Sequence, residues 1–193
     1  MIQLRNLGCA VAGTILFDDL DAEFGSGELV EIWGPNGSGK STLLRCIAGL
    51  FEAAHGDVRI DEDRSLTYVG HKPGFNGLLN PVENLTWFAR LSGRRLSPGD
   101  CRAALSRVGM ARGAHVPCQH LSAGQLRRVA LARLIVSGAD IWLLDEPMTA
   151  LDTAGKELVR DLVRTHLAGG GVAICATHES MGIESGRRIE LAA

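Results

Sequence analysis

The chain has 193 residues, of which 46% are hydrophobic and 22% are charged, and its formal net charge is −2. This length and composition predict one globular domain with a substantial core. The charge balance excludes a general attraction to nucleic acid or to an anionic membrane surface, so any membrane link requires a protein partner. No apolar run approaches the roughly 20 residues of a spanning helix. The first residues also lack the apolar region of a signal peptide, so we expect a cytosolic chain.

The cysteines are odd in number, are scattered, and are nowhere spaced as C-x-x-C. This arrangement is typical of free cytosolic thiols and indicates no disulfide framework, zinc site or haem-attachment motif. The five positions are Cys9, Cys46, Cys101, Cys118 and Cys175.

The first third of the chain alternates in the way that short β-strands do. The predicted strands are 2–7, 15–17, 20–24, 28–33, 58–61 and 66–70. A helix is predicted over 41–50, with Leu43, Leu44, Ile47 and Leu50 at helical spacing. This part of the chain therefore predicts a β-rich beginning that leads into an α/β core.

The middle of the chain has a helical pattern from Phe75 to about Ser137. Pro81–Leu91 is a predicted helix with proline in its first turn, and Ser97 is the predicted N-cap of the next helix. We interpret this region as a helical subdomain over about 75–137. It is inserted into an α/β core over about 1–71 and 138–193 of a single domain.

Two apolar runs in the last third, 139–144 and 171–177, are typical of strands buried on both faces. Such strands indicate a parallel sheet covered by helices. A helix is predicted between them over 153–167, and an edge strand follows over 187–191.

A glycine-rich loop lies where a predicted strand turns into a predicted helix. Its sequence, Gly-Pro-Asn-Gly-Ser-Gly-Lys-Ser, fits the phosphate-binding pattern G-x-x-x-x-G-K-[ST] position for position. Glycines there allow backbone N–H groups to converge on an anion at the positive end of the helix. The pattern predicts a triphosphate cradle. Its candidate residues are Gly34, Pro35, Asn36, Gly37, Ser38, Gly39, Lys40, Ser41 and Thr42.

Two acids, Asp145 and Glu146, follow the first buried strand of the last third. They are therefore expected at the carboxyl edge of a parallel sheet, where open α/β sheets bind ligands. Asp145 and the Ser41 hydroxyl are candidate ligands of Mg²⁺, and Glu146 is the candidate base for an attacking water.

The stretch Leu121–Gln125 precedes a predicted apolar helix, with Ser122 at its N-cap. The Ser122 hydroxyl and the N–H groups of Ala123 and Gly124 make a second predicted anion site. Taken alone, the motif is better explained by capping. The phosphate loop and the acid pair favour anion binding.

These motifs in this order resemble the ATP-binding subunit of ATP-binding-cassette (ABC) transporters over essentially the whole chain. The implied fold is an α/β P-loop NTPase with a RecA-like mixed-sheet core, an antiparallel β subdomain and an inserted helical subdomain. Leu121–Gln125 is similar to the family's signature motif, with alanine in place of the first glycine. The resemblance implies ATP and Mg²⁺ as cofactors and ATP hydrolysis as the activity.

The resemblance also implies a head-to-tail homodimer. ATP on the phosphate loop of one copy would be covered by Ser122, Gly124 and Gln125 of the other, with Asp152 in the D-loop at the seam. His178 resembles the switch histidine, which contacts the γ-phosphate and aligns Glu146 with the water. Lys40 would reach the β and γ oxygens.

The chain departs from the family pattern in two places. His71 stands where the family usually supplies a glutamine to the metal and the lytic water. Residues 9–13 lack the aromatic side chain on which many relatives stack adenine, which leaves either weak stacking or a substitute in Phe17.

The His71 loop, the alanine in the signature and residues 127–134 resemble the ATP-binding subunits of the cytochrome c maturation system. That resemblance implies an integral membrane transporter subunit and further cytochrome c maturation membrane proteins as partners, at the cytoplasmic face of the inner membrane. We expect docking through Phe75, Leu78, Leu79 and the helix from Pro81. Three alternatives remain open: another ABC transporter's ATPase, a soluble ABC ATPase of translation or DNA repair, and an ATP-dependent clamp with little turnover.

Overall fold

A computed structural model describes residues 1–184 and 186–191 of the chain. The strands are β1 (Ile2–Val11), β2 (Thr14–Phe24), β3 (Leu29–Trp33), β4 (His55–Ile60), β5 (Leu66–Val69), β6 (Ile141–Asp145), β7 (Val172–Ala176) and β8 (Gly186–Glu190). The helices are α1 (Lys40–Ile47), α2 (Pro81–Leu91), α3 (Pro98–Arg107), α4 (Ala123–Ser137) and α5 (Thr153–Ala168), with a short 3₁₀ turn over Cys118–His120.

The chain divides into two compact units. The first consists of Met1–Gly70, Ala139–Pro147 and Arg160–Ala193, and the second of His71–Gly138 and Met148–Val159.

The first unit contains an antiparallel sheet in the order β2-β1-β4. Leu7 pairs with Leu20 and Cys9 with Phe17, so β2 carries one more residue than β1 over this stretch. This β-bulge explains why the sequence predicted two strands where the structure has one, because a bulge interrupts the apolar alternation without ending the strand.

The first unit also contains a five-stranded sheet in the order β5-β6-β7-β3-β8, in which every described pair is parallel. Parallel and antiparallel pairing are thus divided between two sheets, and the core sheet is not itself mixed over the described strands. All residues of β6 and β7 are buried, as their apolar runs predicted. The predicted α/β architecture with a separate antiparallel sheet is confirmed.

Helix α1 ends earlier than the sequence predicted. Its last residue is Ile47, Gly49 adopts the left-handed conformation at φ 68°, and Leu50 is exposed. Glycine ends helices in this way because it has no Cβ to disfavour positive φ. Leu50 therefore lies beyond the buried face that its spacing suggested.

The second unit contains α2, α3 and α4. Helix α2 spans the predicted Pro81–Leu91, and α3 begins after the predicted N-cap, Ser97. Both helices open with a capping box, in which the N-cap and the third helical residue exchange hydrogen bonds. Over the described part of the chain, no helix has the length and apolar character needed to cross a membrane.

Candidate nucleotide-binding site

The phosphate loop connects β3 to α1 in the first unit, and two of its glycines are required by its shape. Gly34 and Gly39 have φ values of 149° and 94°. A Cβ on Gly34 would lie 2.5 Å from Ser38 Oγ and 2.7 Å from the Leu191 carbonyl oxygen. Any other residue would therefore force the loop open at its first position.

The Lys40 side chain closes the loop from inside. Its Nζ donates hydrogen bonds to the carbonyl oxygens of Gly34, at 2.7 Å, and Pro35, at 2.9 Å. An ammonium has three N–H donors. Among the described residues these carbonyls use two of them, which leaves a third for a phosphate oxygen.

In the first turn of α1, no side chain of the kind that usually accepts hydrogen bonds from the free N–H groups of a helix start is present. Its N-cap, Gly39, makes no side-chain cap, and no acidic residue lies in the first turn. Ser38 Oγ is buried and has no hydrogen-bond partner among the described residues. Backbone N–H groups, the helix dipole and this hydroxyl can all serve one anion here, because none of them is occupied by a competing acceptor side chain.

Asp145 ends β6 beside this helix start. Ser41 Oγ donates to Asp145 Oδ1 at 2.9 Å, and the Tyr68 hydroxyl donates to Asp145 Oδ2 at 3.4 Å. Mg²⁺ prefers hard oxygen ligands such as a carboxylate and a hydroxyl, so Ser41 and Asp145 fit this ion. Burial raises the pKa of Tyr68, which is also hydrogen-bonded to Arg45, so its hydroxyl remains protonated at neutral pH.

Glu146 follows Asp145 in a backbone conformation that is unusual for glutamate. Its φ is 49°, and its N–H donates to the carbonyl of Ala176 at 2.9 Å. His178 Nδ1 lies 3.7 Å from Glu146 Oε1. The imidazole is 67% exposed and the carboxylate 24%, so both groups can reach a water or a phosphate.

The sheet order brings these groups to one edge. Strands β6, β7 and β3 are neighbours, and the phosphate loop, the acid pair and Thr177–His178 each follow one of them. Thr177 N–H donates to the Ile32 carbonyl at 3.1 Å, which fixes the end of β7 against β3. Lys40, Ser41, Asp145, Glu146 and His178 therefore all belong to the first unit.

The remaining predicted residues lie in the second unit. Ser122 caps α4: its Oγ accepts from Gln125 N–H at 3.2 Å, and Gln125 Oε1 accepts from Ser122 N–H at 2.9 Å. A Cβ on Gly124 would lie 2.9 Å from the Ala150 carbonyl oxygen. The signature motif and the segment before Asp152 are thus packed backbone to backbone.

Asp152 is held in place by two donors. Its Oδ1 accepts from Gly155 N–H at 2.8 Å, which caps α5, and from Arg128 Nη2 at 3.0 Å. Arg128 Nη1 also donates to the Val108 carbonyl. Neither Arg128 nor Tyr68 was predicted from the sequence as a site residue. Tyr68 could have been found from its hydroxyl and its position near the end of β5, because β5 pairs with β6, the strand that ends at Asp145.

His71 begins the second unit with an exposed side chain, and its carbonyl oxygen accepts from Arg127 Nη2 at 3.2 Å. Of the two alternatives for adenine stacking, a substitute in Phe17 is contradicted, because strand β2 turns the Phe17 ring into the core. Weak stacking stays a prediction. The exposed apolar side chains of the β1–β2 hairpin are Val11 and Ile15.

Comparisons with known proteins agree with this geometry. The ABC transporter family model matches residues 17–149. The cytochrome c biogenesis ATP-binding export protein CcmA of Bradyrhizobium diazoefficiens is 46% identical over 94% of this chain and 93% of its own length. The protein of the same name from Saccharophagus degradans is 39% identical, over 97% and 92%.

Solved structures give the same result. The dimeric structure of MJ0796, a bacterial ABC transporter cassette, has a TM-score of 0.85 at 29% identity, over all of this chain and 94% of its own. A dimeric post-hydrolysis state of the ATP-binding cassette MJ0796, bound to ADP and Pi, has a TM-score of 0.84 at 26% identity, over 93% and 88%. The chain is therefore an ATP-binding ABC-type ATPase: it belongs to the ABC transporter family and, within it, to the group named CcmA.

Proposed function

We propose that this chain is the ATP-hydrolysing subunit of a membrane ABC transporter complex of cytochrome c biogenesis, which acts in haem export or haem-chaperone release. The names of relatives that are 39% and 46% identical over more than nine-tenths of the chain support the biogenesis role. We place the chain at the cytoplasmic face of the inner membrane, bound to an integral membrane subunit and near further cytochrome c maturation proteins.

The phosphates of ATP would bind where the loop, the uncapped start of α1 and Lys40 meet. The observation that carries this assignment is the bond of 2.9 Å between Ser41 Oγ and Asp145 Oδ1. Three residues before Ser41, the buried Ser38 hydroxyl has no partner among the described residues. Ser41 and Asp145 would hold Mg²⁺, which, when bound, neutralises charge on the phosphate oxygens.

Glu146 and His178 supply the proton chemistry in this proposal. The Glu146 carboxylate accepts a proton from the attacking water. The His178 imidazole orients that carboxylate and donates a hydrogen bond to the γ-phosphate, where negative charge has to be stabilised. Their separation of 3.7 Å allows both groups to contact one water without moving far.

A head-to-tail homodimer completes the site. Ser122, Gly124 and Gln125 of one copy would cover ATP on the phosphate loop of the other, with Asp152 at the seam. His71 would contact the nucleotide or its metal in place of the family's glutamine. In this proposal the phosphate and metal ligands come from the first unit of one copy, and the helix start at Ser122 comes from the second unit of the other.

A variant of Glu146 tests the proposal. In cells whose native copy is replaced by Glu146→Gln, we expect ATP binding to persist and covalent haem in c-type cytochromes, measured by haem staining, to disappear. Glu52→Gln, an exposed glutamate of the first unit, is the matched control and should leave the cytochromes normal. Normal cytochromes in the Glu146→Gln cells would refute the biogenesis role and leave the ATPase of another transporter.

Docking to the membrane subunit is expected beside the His71 loop. Leu78 is 75% exposed, whereas Leu79 is half-buried, so Leu78 is the better test position. We expect Leu78→Asp to shift the protein from the membrane fraction to the soluble fraction. Leu50, which is 64% exposed, is the control: Leu50→Asp should not do so, and retention of both variants in the membrane fraction would count against this surface.

A further inference from the structure

Helix α4 carries two buried arginines that the proposed chemistry does not use. Arg127 is 4% exposed and Arg133 is 8% exposed. Burial lowers the pKa of Arg133 to about 10, so this guanidinium remains charged at neutral pH. A buried charge is costly unless its donors are satisfied, so the contacts of these two side chains show what the fold gains from them.

Both arginines bind the same loop of the second unit. Arg127 Nη2 donates to the His71 carbonyl at 3.2 Å, and Arg133 Nη1 donates to the Pro73 carbonyl at 3.0 Å. The Arg133 guanidinium also lies 4.5 Å from the ring centre of Phe88. The two arginines are about 9 Å apart along the helix axis at 1.5 Å per residue, so the start of the loop runs alongside α4.

Asn84 of α2 holds the other end of the loop. This buried side chain accepts from Asn76 N–H at 3.0 Å and donates to the carbonyls of Asn76, at 3.1 Å, and Leu79, at 3.2 Å. The loop from His71 to Leu79 is therefore tied to α4 at its beginning and to α2 at its end. A shift of α4 along its axis would displace the His71 backbone.

We propose that Arg127 is a positioning residue that couples His71 to the first turn of α4, which carries Ser122 and Gly124. This inference rests on the proposed function. In that dimer, His71 serves the ATP bound by its own copy, while Ser122 serves the ATP bound by the partner. The Arg127 bond thus makes the position of each His71 depend on contact with the partner's nucleotide, and it links the two ATP sites.

Arg127 is a better test than Arg133, because Arg127 donates to His71 itself and lies nearer to Ser122 in the chain. Arg133 also lies over the ring of Phe88, so its removal would disturb that packing as well as break a bond. Replacing Arg127 by leucine removes the donor, whereas lysine keeps a charged N–H donor that is only one bond nearer the backbone than Arg127 Nη2. Leucine and lysine have similar volumes, so a packing role predicts the same behaviour for both variants, whereas a positioning role predicts recovery with lysine only.

The experiment measures ATP hydrolysis against ATP concentration for the full chain, alone and in membranes from the expressing cells. For Arg127→Leu we expect the Hill coefficient to fall toward 1 from a value that can reach 2 for two sites. We also expect kcat to fall about tenfold, with the ATP dissociation constant within about twofold of the parent. Arg127→Lys should restore most of both losses.

Two controls separate positioning from general damage. Arg102→Leu removes an exposed arginine of α3 and should behave like the parent, and Val136→Ala opens a small cavity in α4, nine residues from Arg127. If Val136→Ala lowers the Hill coefficient as much as Arg127→Leu at equal thermal stability, the coupling role is refuted. Unchanged cooperativity in Arg127→Leu would refute it as well.

Failure of the proposed function would look different. If the parent protein itself releases no phosphate from ATP, the proposed function falls and the coupling proposal falls with it. If the parent hydrolyses ATP cooperatively and Arg127→Leu does the same, only the coupling proposal falls.

Discussion

The starts of α1 and α4 were both predicted as anion sites, and the structure makes them opposites. Helix α1 begins at a glycine with no side-chain cap, beside a buried hydroxyl that lacks a partner among the described residues. Helix α4 begins at Ser122, whose hydroxyl and backbone N–H are both engaged by Gln125. The first start is open to a ligand, whereas the second is already closed by its own residues.

A helix N-terminus is therefore not by itself a binding site, because its own residues can already occupy its polar groups. Helix α3 carries the same kind of capping box, between Ser97 and Asp100, and has no proposed role in ATP binding. An anion at α4 has to share or displace the Ser122 cap, and it gains mainly the N–H groups of Ala123 and Gly124. Weak anion binding by this turn is what a site that acts only in a dimer requires.

The largest effect is expected at Lys40, which lies at the open start of α1. Lys40→Ala removes the charge inside the open site, and we expect ATP affinity, measured by equilibrium binding, to fall about 100-fold or more. Lys156→Ala, on α5, serves as the matched control. ATP affinity of Lys40→Ala within a few-fold of the parent would mean that the loop is not the phosphate site.

Ser122 and Ser97 allow the two capped starts to be compared with each other. Each serine-to-alanine change removes an N-cap, so we expect each to lower the free energy of unfolding by about 1 kcal/mol. Only Ser122→Ala should also lower the rate of ATP hydrolysis, by about tenfold, because it loses a hydrogen bond to a charged group. Equal hydrolysis rates in the two variants would show that Ser122 is a cap and nothing more.

Tyr68 tests whether a neighbouring hydroxyl orients Asp145 for Mg²⁺. Tyr68→Phe removes the hydroxyl that donates to Asp145, so we expect the Mg²⁺ concentration for half-maximal hydrolysis to rise about threefold. The fold should be nearly unaffected, since the ring is kept. An unchanged Mg²⁺ requirement would indicate that the bond of 3.4 Å does not orient Asp145.

The smallest expected effect is on how Tm depends on pH, and it distinguishes the capping box of α3 from that of α4. Hydrogen bonds from the hydroxyl and the N–H of Ser97 lower the pKa of Asp100, whereas α4 uses the neutral Gln125. A lowered pKa adds stability above the unfolded value of about 3.9, and that stability is lost as pH falls through the folded value. We therefore expect Asp100→Asn to lower Tm more at pH 7 than at pH 2. The effect of Gln125→Ala on Tm should not change between these pH values.

The sequence predicted the parts of this molecule that depend on local chemistry. Proline and serine at the helix starts, buried apolar runs and the glycine pattern each act over a few residues, and α2, α3, β6 and β7 appear where those signals placed them. The bulge in β2, the inward turn of Phe17 and the partners of Tyr68 and Arg127 depend on which strands and helices become neighbours. Such pairings join residues far apart in the chain, so no local pattern predicts them.

The backbone at Glu146 has a consequence for how this protein can change. A glutamate held at positive φ costs about 1–3 kcal/mol relative to a relaxed conformation, and glycine would avoid most of that strain. Selection for stability alone would thus favour losing the carboxylate. If Glu146 is the base, the strain persists only while hydrolysis is useful, and a descendant that no longer needed turnover could become more stable and inactive in a single substitution.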